Sequence, residues 1–197
     1  MRKLLCLMLV FVIGLSVAGC SGDSSSTSEH FFAKISIRDY GDITVELYPE
    51  KAPITVDNFV KLANQHFYDG LLIHRVYPGF VIQGGNAALM GRNGSNTIKG
   101  EFSLNGVNND LSHTRGAISM ARPAALNDGA SSQFFICVAD RPDLNGNYAC
   151  FGYVTEGIEI VDQICANVTN IDYNGNVQDF SQMPIIESVV IIDNGEG

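Results

Sequence analysis

Residues 74–85 read His-Arg-Val-Tyr-Pro-Gly-Phe-Val-Ile-Gln-Gly-Gly, two short runs on either side of a Pro-Gly pair. Proline followed by glycine favours a tight turn, so the stretch predicts two strands joined at Pro78 and Gly79. The unit carries a cation, Arg75, and a carboxamide, Gln83, among mostly apolar side chains. It therefore predicts both a piece of antiparallel sheet and a candidate site.

A second unusual segment, residues 132–136, reads Ser-Gln-Phe-Phe-Ile. Residues two apart in a strand point to the same face of the sheet, so Gln133 and Phe135 are expected to share a face. A third segment, residues 119–122, reads Ser-Met-Ala-Arg and lies at the end of another predicted strand. Together the three segments predict a polar and aromatic surface on a β framework.

The rest of the chain is also typical of a mainly β protein, because Val, Ile and Phe fall in short runs separated by Gly, Asn and Asp. Apolar spacing of helical period predicts one helix from Thr55, with Thr55 as N-cap and Asp57 in the first turn, and another over residues 157–165. Residues 84–109 are rich in Gly and Asn and predict a long surface loop, either functional or mobile. The predicted strands are residues 34–38, 43–47, 71–76, 80–83, 116–121, 132–138, 149–154 and 184–193.

Composition limits the class of protein. The chain has 197 residues, of which 46% are hydrophobic and 17% charged, which fits one globular domain. Its net charge is −9, and loss of Arg2 and Lys3 with a leader would lower it by two, to −11. Such an acidic chain without basic clusters is not expected to bind nucleic acid. Its histidines show no metal-ligand spacing, so no metal site is predicted.

The start of the chain is typical of an export signal. Residues 1–3 supply a positive segment and residues 4–12 an apolar run, which is too short to span a membrane. Residues 15–20 read Leu-Ser-Val-Ala-Gly-Cys, which resembles the lipobox of bacterial lipoproteins. That resemblance implies a lipid on Cys20. The alternative is an ordinary secretory signal followed by an incidental cysteine.

The sequence analysis therefore divides the chain into three parts. Residues 1–19 are interpreted as a lipoprotein signal peptide, residues 20–30 as a flexible polar tether from lipidated Cys20, and residues 31–197 as the folded domain. A lipid anchor predicts a periplasm-facing protein of the bacterial cell envelope. Ser21 stands where some inner-membrane lipoproteins carry aspartate, which favours the outer membrane weakly over the inner one.

Three cysteines remain in the folded part: Cys137, Cys150 and Cys165. Three thiols do not make a disulfide framework, and cysteine packs readily as a small hydrophobe. Buried free thiols are therefore the favoured interpretation, with a single bridge as the alternative.

The segments 74–85 and 132–136, with Pro-x-Thr-Val-x-Asn-Phe at residues 53–59, resemble the cyclophilin family of peptidyl-prolyl cis/trans isomerases. The resemblance extends from Ala33 to the C-terminal strand. It implies a mainly β fold, a closed eight-stranded antiparallel β-barrel capped by two α-helices with the substrate groove on its outside. It also implies an isomerase that accelerates rotation about X-Pro bonds and assists the folding of exported proteins, as a monomer without a cofactor.

The resemblance also implies roles for individual residues. Arg75 would be the catalytic arginine. The implied substrate-binding residues are Phe80, Val81, Phe135 and Leu144 around the proline ring, Gln83, Ala121 and Gln133 along the substrate backbone, and Tyr148 where many animal members carry histidine. The expected partners are proline-containing polypeptides and, through the lipid, a membrane.

The chain departs from the family pattern at two places. Asp143 stands where the family commonly has tryptophan or another aromatic residue, and Arg122-Pro123 replaces a usual Asn-Ala. These departures keep a second hypothesis open, a tethered peptide-binding or chaperone module that retains the groove but turns over poorly. The loss of the aromatic at Asp143, together with Tyr148, also predicts weak binding of cyclosporin-like macrocycles.

Overall fold

The computed structural model describes residues 31–193. The interpreted signal peptide (residues 1–19), the tether (residues 20–30) and the lipid site at Cys20 lie outside the described residues.

Strands and two α-helices form the framework of residues 31–193. The strands are β1 (Phe31–Ile37), β2 (Gly41–Leu47), β3 (Ile73–Tyr77), β4 (Val81–Gly84), β5 (Ala117–Met120), β6 (Phe134–Cys137), β7 (Cys150–Glu156) and β8 (Ile186–Asp193). The helices are α1 (Pro53–Asn64) and α2 (Ile158–Asn167). Short 3₁₀ turns lie at residues 87–90, 103–105, 142–144 and 180–182. The elements match the predicted ones in type and order, and their ends differ by a few residues.

All eight strands join one antiparallel sheet in the order β3-β4-β6-β5-β7-β2-β1-β8. The mainly β fold with two helices is therefore confirmed. The closed barrel is not confirmed, because β3 and β8 are the two ends of this order and do not form a ladder. They meet only where each strand begins, through one bridge between Leu72 and Ile185. Adjacent backbone bonds include those from the Ile73 N–H to the Pro184 carbonyl and from the Ile186 N–H to the Leu71 carbonyl, both at 2.8 Å. The sheet is thus curled, with its two edge strands close together at one point.

The pleat of the strands separates an inner core from an outer apolar cluster. In β6, Phe134 and Ile136 belong to the main core, whereas Phe135 and Cys137 belong to a smaller cluster on the other face. β4 divides in the same way, and its Val81 joins the outer cluster. This alternation follows from the period of two in a strand. The Phe-Phe-Ile segment therefore contributes to two apolar surfaces at once.

The core contains a group of packed aromatic rings at which α1 meets the sheet. Phe59 of α1 lies 5.7 Å from Phe134 and 5.2 Å from Phe151, measured between ring centroids. Tyr68 lies 5.2 Å from Phe59 and 5.6 Å from Phe134. All four side chains are at most 2% exposed. Large aromatic groups contribute much of the hydrophobic stabilisation of a core, so this group anchors α1 across the sheet.

The glycine pair at residues 84–85 allows the two signature segments to meet. The backbone of Gly85 has φ = +81°, a conformation that favours glycine. A Cβ atom there would lie 2.6 Å from the Ser132 carbonyl oxygen, closer than atoms pack. The hydroxyl of Ser132 in turn donates to the Gly85 carbonyl at 2.9 Å. Only glycine fits this close backbone approach.

The N-terminus of α1 differs from the prediction. The helix begins at Pro53, and its N-cap is Ala52, whose side chain makes no capping bond. The prediction that Thr55 is the N-cap, with Asp57 in the first turn, is therefore wrong. The carboxylate of Glu101 accepts the N–H groups of Ile54 and Thr55 at 3.1 and 2.7 Å.

Glu101 belongs to the long connection that the sequence predicts to be functional or mobile. Its carboxylate also accepts the Thr55 hydroxyl at 2.7 Å, and the residue is 2% exposed. A helix leaves its first N–H groups without intrahelical partners, and a carboxylate at that end is favoured by the helix dipole. The connection therefore supplies the cap that the local sequence lacks.

The three cysteines of the described part of the chain form no disulfide. Cys137 and Cys150 are buried and Cys165 is half-buried. Burial raises the pKa of the Cys137 thiol to about 12 and that of Cys165 to about 11. Since the thiolate is the reactive form, this burial disfavours reaction of the two thiols. The predicted free thiols are confirmed, and Cys137 and Cys150 are buried as expected.

Replacement of Glu101 by alanine is expected to destabilise the protein by about 3 kcal/mol, because helix N–H groups and a buried hydroxyl would lose a charged acceptor. Glu101→Gln keeps one acceptor oxygen and should lose less. Chemical denaturation measures both. The control is Glu50→Ala, an exposed glutamate, which should change stability by less than about 0.5 kcal/mol. Equal stability of Glu101→Ala and wild type would contradict the capping role.

Candidate active site

A pocket of about 100 Å³ lies on the outer face of the sheet, between β4, β5, β6 and the segment around residue 144. Its lining residues are Arg75, Phe80, Val81, Gln83, Ala121, Arg122, Phe135, Leu144 and Tyr148. The structure thus brings together all the residues that the sequence analysis selected for the site except Gln133. Gln133 lines an adjoining pocket that shares Gln83, Ala121 and Arg122 with the first. We call the first the ring pocket and the second the side pocket.

The floor of the ring pocket is apolar. Phe135 and Leu144 are 4% and 8% exposed, and Val81 beside them is also buried. The Tyr148 ring stands edge-on to Phe135 at 5.5 Å between centroids, a favourable aromatic geometry. The pocket is therefore small, hydrophobic and firmly packed from below, and it suits a compact apolar group.

A hydrogen-bonded row of three polar side chains crosses the pocket rim. Arg75 of β3 and Gln83 of β4 are register partners, and the Arg75 Nη1 lies 3.5 Å from Gln83 Oε1, a long hydrogen bond. Gln83 Nε2 then donates to Gln133 Oε1 at 3.0 Å. The row holds a guanidinium at one end and carboxamides along the rim, all available to a polypeptide backbone.

A loop before β8 fixes the other side of the arginine. The Arg75 Nε donates to the Asn174 carbonyl at 2.8 Å. Asp172 shapes this loop, because its Oδ1 accepts the N–H groups of Asn174 and Asn176 at 2.9 and 2.8 Å. A hydrogen bond from the Asn176 side chain holds the pKa of Asp172 below its usual range. Sequence reasoning missed these residues, although Asp-x-Asn-Gly-Asn is a pattern typical of tight turns.

Asp143 stands where the family commonly has an aromatic residue, and its side chain pairs with a neighbouring arginine. It accepts two hydrogen bonds from Arg141, at 2.8 and 2.7 Å, and this pairing lowers the pKa of Asp143. The Arg141 guanidinium in turn lies 3.9 Å from the centroid of the Phe80 ring. The pair therefore covers the outer face of Phe80. Arg141 was missed in the sequence analysis because nothing in the local pattern links it to Phe80.

His113 supports the pocket from below. The residue is 1% exposed, and its ring stacks on Phe135 at 6.0 Å and 20°. Its Nδ1 lies 3.0 Å from the Asn145 Oδ1, which can only accept, so Nδ1 carries the proton. Nε2 then accepts from the Ser119 hydroxyl at 2.9 Å. Burial lowers the pKa of His113, so the ring is neutral at pH 7 and both its nitrogens are satisfied.

Within residues 31–193, no group of three or more His, Cys, Asp or Glu side chains is placed to hold a metal ion. In the same residues, no helix has the length and apolar character needed to cross a membrane.

Known proteins are similar to this chain in sequence. The family model "Cyclophilin type peptidyl-prolyl cis-trans isomerase/CLD" matches residues 32–191. Peptidyl-prolyl cis-trans isomerase A of Dickeya dadantii is 36% identical over 203 aligned residues, which cover 98% of this chain and 99% of that protein. Peptidyl-prolyl cis-trans isomerase B of Bacillus subtilis is 50% identical over 124 residues, covering 62% of this chain and 82% of the relative.

Solved structures of known proteins also resemble this fold. A cyclophilin-type isomerase of Cryptosporidium parvum superposes with a TM-score of 0.71 at 29% identity, covering 84% of this chain and 99% of that one. The same protein has been solved in the presence of the dipeptide Ala-Pro. The curled antiparallel sheet with two helices and an outer groove defines the class. The chain belongs to the cyclophilin family, whose members are peptidyl-prolyl cis-trans isomerases.

Acidification from pH 7 to pH 5 is expected to lower the free energy of unfolding. Burial lowers the pKa of His113 and His74 in the folded state, while in the unfolded chain both have the ordinary value of about 6.5. The unfolded state therefore binds more protons below about pH 6.5, and stability rises with pH through that window. His113→Gln should flatten this rise, as measured by denaturation at each pH. An unchanged rise in His113→Gln would contradict the assignment.

Proposed function

We propose that the ring pocket and the rim beside it form the site at which this chain accelerates rotation about X-Pro peptide bonds, with Arg75 as the catalytic residue. The observation that carries the proposal is the row Arg75–Gln83–Gln133 along the rim of a small apolar pocket. A proline ring is compact and apolar and fits such a pocket. The atoms next to the ring then lie beside the guanidinium.

The reaction needs no bond to be made or broken. Rotation about an X-Pro bond has a barrier of about 18–20 kcal/mol, because amide resonance is lost in the twisted state. In that state the prolyl nitrogen becomes pyramidal and can accept a hydrogen bond. A guanidinium remains charged at all relevant pH values, so Arg75 can donate to that nitrogen. It thereby stabilises the twisted form more than either planar form.

The fixed positions of Arg75 and of the bound substrate would supply the rest of the rate acceleration. The bond to the Asn174 carbonyl and the contact with Phe80, 5.3 Å from the guanidinium carbon to the ring centroid, hold Arg75 before substrate binds. The apolar floor would hold the proline ring, while Gln83, Ala121 and Gln133 would hold the substrate backbone, so that rotation is confined to one bond. A 10⁵-fold acceleration requires about 7 kcal/mol of differential stabilisation. The proposed chemistry uses side chains alone.

The pairing of Asp143 with Arg141 supports an active enzyme over a binding module. The binding hypothesis rested on the loss of an aromatic residue at position 143 and on the Arg122-Pro123 pair. The carboxylate of Asp143 is turned to Arg141, and Phe80, Leu144 and Arg122 all line the ring pocket. Weak binding of cyclosporin-like macrocycles stays a prediction, which competition in the turnover assay would measure.

We further propose that the enzyme works on exported polypeptides in a bacterial cell envelope, as a monomer held to the membrane by a lipid on Cys20. The support is the leader pattern of residues 1–19 and the polar tether of residues 20–30. Ser21 after the cysteine favours the outer membrane over the inner one. Proline-containing segments of newly exported proteins are the substrates that such a location supplies.

Arg75→Ala is expected to reduce kcat/KM on an Ala-Pro peptide by about 10²–10³-fold, the usual effect of removing a donor aimed at the transition state. The thermal unfolding transition should remain cooperative, because the side chain lies at the groove. Turnover is measured as the cis-to-trans rate with residues 29–197 and, in parallel, with the full chain. Arg38→Ala is the matched control, an exposed arginine paired with Glu187. Retained turnover, or unfolding of Arg75→Ala, would contradict the catalytic role.

Cys20→Ala is expected to release the protein from membranes, because the lipid and its attachment would be lost together. Fractionation of cells that express the full chain, followed by immunodetection, measures the released fraction. Cys6→Ala, a cysteine change inside the apolar run of the leader, is the control and should leave membrane association intact. Equal membrane association of Cys20→Ala and wild type would exclude the lipid anchor.

A further inference from the structure

Arg122 lies between the ring pocket and the side pocket and lines both. The side pocket has a volume of about 270 Å³. The residues that line it are Gln83, Ala121, Arg122, Pro123, Gly129, Ser131 and Gln133. Because the two pockets adjoin, a side chain next to a proline held in the ring pocket would lie within reach of the side pocket and of Arg122.

The guanidinium of Arg122 is held in place by the protein itself. Its Nε donates to the Asn147 carbonyl at 2.9 Å, and its Nη1 donates to the carbonyls of Pro123 and Ala124 at 3.1 and 3.0 Å. The guanidinium carbon lies 5.2 Å from the Tyr148 ring centroid and 4.8 Å from that of Phe102. The side chain is therefore ordered before substrate arrives, which lowers the entropy lost on binding.

All these contacts are made with neutral groups, so they leave the charge of Arg122 uncompensated. Some arginines of the fold pair with carboxylates, as Arg141 does with Asp143 and Arg115 with Asp162, whereas Arg92 is held by backbone carbonyls as Arg122 is. Within residues 31–193, no carboxylate lies within ion-pair distance of Arg122. The Nη2 atom of this fixed guanidinium makes none of these bonds, so its N–H groups can donate to a carboxylate of opposite charge.

The positive charge of Arg122 contrasts with the overall negative charge of the protein. The chain has a net charge of −9, which at long range repels acidic peptides. That repulsion is largely screened beyond about 10 Å at ordinary ionic strength, whereas a direct contact at Arg122 is screened less. A carboxylate next to the proline therefore gains a local attraction that a neutral or basic side chain does not.

We propose that Arg122 is a specificity-determining residue that favours substrates with an aspartate or glutamate within two positions of the proline. This inference rests on the proposed isomerase function of the same groove. It assigns to Arg122 a direct contact with a substrate side chain, at the entrance to the side pocket.

The test uses peptides around one Ala-Pro core, with Glu, Gln or Lys placed in turn at the second and first positions before the proline and the first and second after it. Exchange NMR measures kcat/KM for each peptide without a coupling protease. At one position Glu should exceed Gln by about fivefold, the upper range for a partly exposed ion pair, and Lys should fall below Gln. The Glu preference should shrink as salt is added.

Two variants and a matched control isolate the local contact. Arg122→Gln should lower the ratio of kcat/KM for the Glu peptide to that for the Gln peptide to about one. Arg122→Lys, which keeps the charge but not the planar guanidinium, should retain part of the preference. Arg92→Gln removes the same charge elsewhere. Arg92 is also held by two carbonyls, those of Asp69 and Phe67, and stacks on an aromatic ring. The variant Arg92→Gln should keep the wild-type preference for the Glu peptide over the Gln peptide.

The outcomes separate this inference from the proposed function. Failure to accelerate even the Gln peptides would remove the isomerase site and the inference with it. Acceleration of the Gln peptides without a Glu preference at any of the four positions would overturn the inference alone. A Glu preference that persists in Arg122→Gln, or that disappears equally in Arg92→Gln, would also overturn it.

Discussion

The alternation of side chains along β4 and β6 is the constraint on which the groove depends. Each strand sends one residue into the core and the next to the outer surface, so Phe134 and Phe135 serve two apolar layers one residue apart. The core layer fixes the strand, and the strand then fixes the outer side chain. An active groove can therefore lie on the outside of the sheet and still be as rigid as the interior.

Much of this arrangement could be predicted from the sequence. The period of two at residues 132–136 predicts a strand, and the Pro-Gly pair at residues 78–79 predicts a turn. Both elements are found, and the residues implied by the resemblance to cyclophilins line one pocket, except Gln133, which lines the adjoining pocket. These signals are local, or they are shared with a whole family, and both kinds can be read from one chain.

The contacts that escaped prediction join residues far apart in the sequence. Glu101 caps α1 from 46 and 47 positions away, and Arg75 is fixed by the carbonyl of Asn174, 99 positions away. No periodicity encodes such pairs. The Arg141–Asp143 pair is local, but its significance lies in the Phe80 ring that it covers. Its role appears only when the fold brings that ring beneath it.

The sheet order has a consequence for how the chain reaches this state. β1 lies between β2 and β8, so the first strand of the domain completes its hydrogen bonds only when the last strand has been synthesised. Contacts with such large separations along the chain raise the contact order and slow folding. Emergence from the ribosome therefore cannot complete the sheet strand by strand. The enzyme is itself a protein whose final folding step must wait for its own C-terminus.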